Sequence, residues 1–245
     1  MKLDTLMTTL CFGSLGNLPI FGEGTGTPQD QAFTRVIVAA NQAMTEFYTR
    51  FAIRSRTLVV EAIDGRSSYP LDPMYAVNSG IPGSPKYILD NVDDPWLTMD
   101  ILWVTRVIDD CGTELWVNAS ATARKTNEHL GRVFFPEVNL MMLADPKQGD
   151  QYMVEYRGAP ALVDPAAVGT DWDAVEFSLP SVYEPAFVEK VSGLIYRSLN
   201  GQENTAKGTE LVMSSEAGSR KLEEQNVDNK ETATYNERFH IGGWV

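Results

Sequence analysis

Phe177-Ser-Leu-Pro-Ser-Val-Tyr-Glu-Pro-Ala-Phe-Val-Glu-Lys-Val-Ser-Gly-Leu-Ile-Tyr-Arg-Ser-Leu-Asn-Gly-Gln-Glu-Asn204 is a short extended run, a proline break and then an amphipathic pattern. Ser181-x-x-Glu184 has the form of a capping box, in which the serine and the glutamate satisfy each other's free backbone N–H groups. Pro185 then fits only if the helix starts near Glu184, because a proline deeper in a helix removes a hydrogen bond and clashes with the preceding turn. Phe187, Val188, Val191, Leu194, Ile195 and Leu199 recur at helical spacing and form the expected buried stripe. Gly201 is expected to close this helix as its C-cap. A second, more polar helix restarts at once over residues 202–224, with Ala206, Leu211, Ala217 and Leu222 as its apolar contacts. The stretch therefore predicts a strand handing over to a helical hairpin, and it holds no reactive constellation. It bears on architecture rather than on catalysis.

Working outward, the N-terminal region carries the complementary helices. Leu3, Leu6, Met7, Leu10 and Cys11 lie on one helical face, and Gly13 and Gly16 punctuate its end. After the glycine-rich loop Gly22–Pro28, a long helix is expected from about Pro28 to Arg54, with Thr27 as N-cap and Pro28 at the first position. Phe33, Val36, Ile37, Ala40, Met44, Phe47, Tyr48 and Phe51 keep its apolar face. Arg35, Arg50 and Arg54 fall on its other faces, with Arg56 just beyond, and these four arginines are the candidates for pairing between subunits. From Thr57 the pattern turns to strands: Thr57–Ile63, Ser67–Leu71, Tyr87–Leu89, Trp96–Val107, Glu114–Val117, Val133–Phe135, Val138–Leu143, Gln151–Arg157 and Val175–Leu179. Alternation in the fourth predicts Ile101, Trp103, Thr105 and Val107 on one face, with Leu102, Val104, Arg106 and Ile108 on the other.

The fold class predicted is α+β. Helices at 1–56 bundle with the hairpin at 180–225, a β-rich lobe with sandwich or barrel character occupies 57–179, and 226–245 forms an extended tail. In that tail Tyr235, Phe239, Ile241 and Trp244 stand isolated among polar residues. Such a segment has too little apolar surface for a core of its own, so its aromatics are expected to insert into a partner.

Composition narrows the function classes. The 245 residues are 43% hydrophobic and 22% charged, with a formal net charge of −13. That balance argues against general affinity for nucleic acid, which relies on clustered Lys and Arg. It suits a wall that DNA passes without adhering, since acidic surfaces repel phosphate. No apolar run approaches the roughly 20 residues of a membrane-spanning helix, and the first residues lack the continuous apolar core of a signal peptide. The protein is expected to stay in the compartment where it is made. Cys11 and Cys111 read as reduced structural thiols, with a bond between them left open.

Chemistry is sparse. His129 and His240 occur in unrelated contexts, and no Cys-x-x-Cys or His-x-x-x-His spacing suggests a metal site. Asp93-Asp94 and Asp109-Asp110 read as solvated turns. No catalytic residue, cofactor or metal is expected, and the chain reads as a non-enzyme. A hydrolase with an acidic pair hidden among its 33 carboxylates ranks last. A second alternative is a carbohydrate- or receptor-binding β-sandwich, with Trp96, Trp103 and Trp116 as a stacking platform. Against it, Trp103 and Trp116 lie in strands and are expected in the core.

The order of these features resembles the head-to-tail adaptor (connector) proteins of tailed bacteriophages, the group containing the tail tubular A-type proteins. The resemblance rests on Ser14-Leu-Gly-Asn-Leu-Pro-Ile20 after the first helix and on the long helix leading into Leu58-Val-Val-Glu-Ala-Ile63 and Tyr69-Pro-Leu71. It continues with Val154-Glu-Tyr-Arg-Gly-Ala-Pro160 in the β-rich part, Leu179-Pro-x-x-Tyr183 opening the hairpin, and Gly201-Gln-Glu-Asn204 at its bend. The stretch from Asp72 to Asp150 is longer than a minimal adaptor needs. The resemblance implies a virion protein made in the host cytoplasm and forming a closed ring of about twelve identical copies. It implies the portal protein on one side, tail or nozzle proteins on the other, and DNA passing through without specific binding. Tyr235, Phe239, Ile241 and Trp244 would then be the anchors that reach the portal.

Overall fold

The computed structural model describes residues 1–22, 28–80, 82, 85–89, 100–118, 132–144, 146–168, 172–199 and 201–225. The chain is α+β and divides into two compact units. One comprises Met1–Ile53 with the chain from Ala161 on, and the other comprises Arg54–Pro160. No helix among the described residues is long and apolar enough to cross a membrane.

In the first unit, helix α1 (Leu3–Phe12) buries the predicted Leu3, Leu6, Met7, Leu10 and Cys11. A short 3-10 turn, Pro19–Phe21, follows. Helix α2 (Asp30–Arg50) starts two residues after Pro28 and stops four before Arg54. Its N-cap is Gln29, without a side-chain cap, and Phe51 is already extended while its N–H closes the last turn on Phe47 O. The early end follows from the next segment, which is recruited into a strand from Ser55. Arg54 is thus not a helical residue. A single turn, α3 (Pro165–Val168), precedes helix α4 (Glu184–Ser198). Val175–Leu179 is not a sheet strand: only Glu176 forms an isolated bridge, with Lys2, and the segment belongs to this helical unit.

Ser181 is not a cap either. Residues Ser181–Tyr183 form a 3-10 turn, α4 begins directly after it, and Pro185 sits in the first turn, where its missing N–H costs nothing. The stripe of α4 is as expected in Phe187, Val191 and Ile195. Helix α4 ends at Ser198, with Leu199 extended. Gly201 then serves helix α5 (Gln202–Glu224) at its start instead of closing α4. At φ +121° it occupies a region open to glycine, and its carbonyl accepts from both the N–H and the hydroxyl of Thr205.

Helix α5 docks by a stripe of small residues, not by the predicted alanines. Ala206 and Ala217 are exposed, whereas Gly208, Ser215 and Ser219 are buried. Small side chains let backbones approach closely, and here Gly193 of α4 faces the carbonyl of Gly208 and the Val212 side chain. Ser215 adds a 2.6 Å hydrogen bond to the Ala186 carbonyl. Lys190, buried on α4, is paired with Glu46 of α2 at 2.6 Å.

Arg50 ties α2 to α5. Its guanidinium donates to both carboxylate oxygens of Glu223 at 2.9 and 3.0 Å, and to Glu216 at 2.7 Å. The bond from Arg50 holds the Glu216 carboxyl below the usual carboxylate range. A carboxylate with a depressed folded-state pKa contributes stability above its unfolded pKa and loses it as pH falls through the folded one. Arg50→Met is therefore expected to cost about 1 kcal/mol at neutral pH, since both partners are partly solvated. It should also flatten the loss of stability on acidification. Urea unfolding at neutral and acid pH checks both, and an unchanged acid slope would contradict the pairing.

The second unit holds strands β1 (Ser55–Glu61), β2 (Ser68–Pro70), β3 (Ile88–Leu89), β4 (Ile101–Asp109), β5 (Glu114–Val117), β6 (Arg132–Glu137), β7 (Leu140–Leu143) and β8 (Gln151–Gly158). They form one eight-stranded sheet in the order β2-β7-β6-β5-β4-β8-β1-β3, curled into a half-barrel instead of stacked as a two-sheet sandwich. All neighbours are antiparallel except β5 and β6. The predicted β4–β5 hairpin is present, with Gly112 at φ +80° in its turn.

One face of the sheet carries the core, including Val60, Val107, Val133, Met141, Val154 and Tyr156. Buried tyrosines satisfy their hydroxyls internally, as burial requires. Tyr69 donates to Arg66 O at 2.7 Å and accepts from Ile63 N, and Tyr87 donates to Pro70 O at 2.7 Å. The Arg66 guanidinium lies 4.7 Å from the Tyr87 ring centroid and also faces Tyr69 and Tyr75.

Candidate functional site

The strict alternation expected along β4 does not survive. Its register against β8 shifts between Ile101 and Trp103, and again between Val104 and Arg106. Each β-bulge inserts a residue and re-aims those that follow. The buried residues are consequently Ile101, Val104 and Val107, three apart instead of two. Trp103 is turned to the outer face and is 65% exposed. Trp116 on β5 lies between inward-facing Leu115 and Val117, and is 45% exposed. Neither tryptophan is a core residue, contrary to expectation. Trp96 lies outside the described residues.

The outer face continues on the next two strands. Phe134 of β6 stands directly opposite Met142 of β7, and they are 53% and 37% exposed. The doublet Phe134-Phe135 carried a readable signal, because adjacent strand residues face opposite sides and one of two phenylalanines must then leave the core. On the other flank, Trp103 is the cross-strand partner of Arg157 on β8. The Nε of Arg157 is buried and meets no acceptor among the described residues. Between the two tryptophans lies a bidentate pair, Arg106 to Glu155 at 2.6 and 2.8 Å, which raises the already high pKa of the arginine.

Of the four arginines predicted for pairing between subunits, three are engaged within their own chain. Arg50 is held by Glu216 and Glu223. Arg54 and Arg56 approach Asp100, at 3.9 and 3.4 Å from its Oδ2. Arg35 is exposed on α2. Asp100 was not singled out in the sequence, yet it is only 8% exposed and also meets the Tyr156 hydroxyl at 3.4 Å. Burial first, and then the Asp100 charge, push the Tyr156 phenol up to about 12.

Tyr235, Phe239, Ile241 and Trp244, both histidines and Asp93-Asp94 lie outside the described residues. Cys11 and Cys111 are free thiols, the first buried and the second exposed. Ligand atoms of Asp109, Asp110 and Cys111 fall within 4.8 Å of one another. Their arrangement is that of a turn: an Asp109 carboxylate oxygen accepts from the N–H groups of Cys111 and Thr113. The neighbouring carboxylates, Asp110 foremost, hold the Cys111 thiol above its ordinary pKa and so disfavour a reactive thiolate. A shallow, open groove runs along α5 over Gln202, Thr205, Ala206, Thr209, Glu210 and Met213.

The side chains that converge here can stack, bury and form ion pairs, which is the chemistry of an interaction surface. No family model matches the chain, and no curated protein matches it either.

Proposed function

We propose that this chain is a structural virion protein, a head-to-tail adaptor that assembles as a ring of identical copies between the portal and the tail of a bacteriophage. The observation that carries the reading is the division of the chain: residues before Ile53 and after Ala161 share one compact unit, and the β-rich segment is inserted between them. An adaptor has this plan when terminal helices bundle into a rigid body and the insertion is free to contact neighbours. The Arg50 network linking α2 to α5 and the close α4–α5 contact support such a bundle. The net charge of −13 suits a channel through which DNA slides without adhering. In this reading Tyr235, Phe239, Ile241 and Trp244 anchor the tail of each copy in the portal, tail or nozzle proteins bind the opposite side, and the role is architectural, not catalytic.

Mixing the full chain with a portal ring of the same virion tests the proposal. Native mass measurement should show a complex containing several copies per ring. Deleting residues 226–245 should abolish docking while leaving the melting profile unchanged. A truncated protein that docks like the full chain would remove the tail anchors from the reading. Absence of any complex with the full chain would remove the reading itself.

A further inference from the structure

Each of the two compact units has its own buried core and its own ties. In Arg54–Pro160 the core runs from Leu58 and Val60 on β1 through Val107 on β4 and Val133 on β6 to Val154 and Tyr156 on β8. Arg56 with Asp100, Arg106 with Glu155 and Tyr87 with the Pro70 carbonyl are ties inside it. The chain enters and leaves this unit at one place. Ser55 is the register partner of Arg157, and the Gly158 N–H donates to the Arg54 carbonyl at 2.9 Å. The Ala159 N–H donates to the Asp100 carbonyl at 2.6 Å, and the Arg54 guanidinium donates to the Ala159 carbonyl at 3.4 Å. Glycine suits position 158, where a Cβ would lie 3.2 Å from Asp100 Oδ2. Bonds of the β-rich segment itself thus offset the entropy of joining its two ends. In the helical unit, Phe47 packs on Phe187 at 5.8 Å and Phe51 on Tyr183 at 4.8 Å, all four buried, while Arg50 and Lys190 pair with Glu216, Glu223 and Glu46.

We propose that Arg54–Pro160 is a conformational module, which opens and recloses as one cooperative unit while the helical unit stays folded. Cooperative opening requires side chains that lose their packing together. Strand β8 imposes this condition, because it pairs with the full length of β1 on one side and with β4 on the other. Separating either pair exposes Val60, Val107, Val154 and Tyr156, which share one core. The closed ends confine the event. Both crossings are pinned by groups from 54 to 159, so opening draws on none of the ties of Arg50 or Lys190. Such a module can rearrange on meeting a neighbour while the helical body keeps its shape. The proposal stands on the two cores and the closed crossing, and it holds whether or not the chain is an adaptor.

Amide hydrogen exchange of the full chain, read by mass over fragments covering single elements, tests this. Where exchange follows the opening equilibrium, a destabilised unit exchanges faster throughout. Asp100→Ala should speed β1, β4 and β8 alike by about a hundredfold, as loss of a buried pairing partner implies, and leave α2 and α4 at wild-type rates. Gly193→Ala should do the reverse, speeding α2 and α4 by at least tenfold and leaving the three strands unchanged. Tyr87→Phe and Arg50→Met each remove a single tie, the first from the β-rich unit and the second from the helical one. They should reproduce the two patterns at smaller amplitude, and they keep the test decisive if a stronger variant fails to fold. Strands and helices accelerated together by any of the four would overturn the proposal, because the chain would then open as one body. Acceleration confined to β4 in Asp100→Ala would overturn it as well, because the opening would then be local.

Discussion

Gly193→Ala is expected to destabilise the helical unit by about 2–3 kcal/mol, although the same change in most helices is favourable. In an open helix interior, alanine is preferred over glycine by roughly 1 kcal/mol. At position 193 the added Cβ would lie 2.8 Å from the Gly208 carbonyl oxygen, 2.8 Å from a Val212 methyl and 3.0 Å from the Val212 nitrogen. Two of the three atoms are backbone and have no rotamer to change, so α4 and α5 must separate. Overpacking of this kind typically costs 1–3 kcal/mol. Gly208→Ala should behave alike, because its Cβ would meet the Gly193 carbonyl at 2.8 Å and the Arg197 nitrogen at 2.9 Å. Gly218→Ala is the contrast. Its new contact is the Ala186 methyl at 3.3 Å, and a shift of a few tenths of an ångström relieves it. Urea denaturation followed by helical circular dichroism ranks the three. If alanine at 193 leaves the midpoint unchanged or raises it, the close crossing is wrong.

Asp100→Ala should cost the β unit about 3 kcal/mol. Asp100 lies beside two guanidinium groups, and Arg56 is itself only 12% exposed. Removing one partner of a buried ion pair strands the remaining charge, which costs about 3–5 kcal/mol; the partial exposure of Arg54 places the effect at the lower end. Asp100→Asn keeps the shape and removes the charge. Comparable losses for Ala and Asn would identify the Coulombic part as dominant. The variant has a second readout, since the Asp100 charge helps to hold the Tyr156 phenol high and its removal should let that phenol ionise at lower pH. Both readouts unchanged would show that Arg54 and Arg56 do not depend on this carboxylate.

These residues also mark the limit of what sequence reading can reach. Helices α1 and α4 were legible because a period of 3.6 writes the buried face directly into the chain: Leu3, Leu6, Met7, Leu10 and Cys11 in one, Phe187, Val191 and Ile195 in the other. The positions of most strands were legible for a similar reason. The outward-facing tryptophans were not. That depends on which way Trp103 points, and two bulges against β8 set that direction. A bulge is a relation between two strands, and β4 and β8 are separated by some fifty residues, as the Arg106–Glu155 pair shows.

The arginines make the same point from charge. Their presence near the end of α2 was plain, and pairing with acidic groups was a sound expectation. The partners, however, are Glu216 and Glu223, more than 160 residues away, and Asp100, which directly precedes β4. Composition states how many charges exist, not which of them meet. Gly201 likewise announced a break, but whether it closes α4 or opens α5 depends on where Leu199 turns extended.

By itself, then, the sequence determined the α+β class, the helical ends around a β-rich middle, the apolar stripes and the acidic balance. All of these follow from local periodicity and from sums over the chain. Only the tertiary structure decided that α5 docks through glycine and serine, that three arginines are satisfied internally, and that Trp103 and Trp116 face outward. Each of those depends on contacts between segments distant in sequence, whose geometry no local pattern encodes.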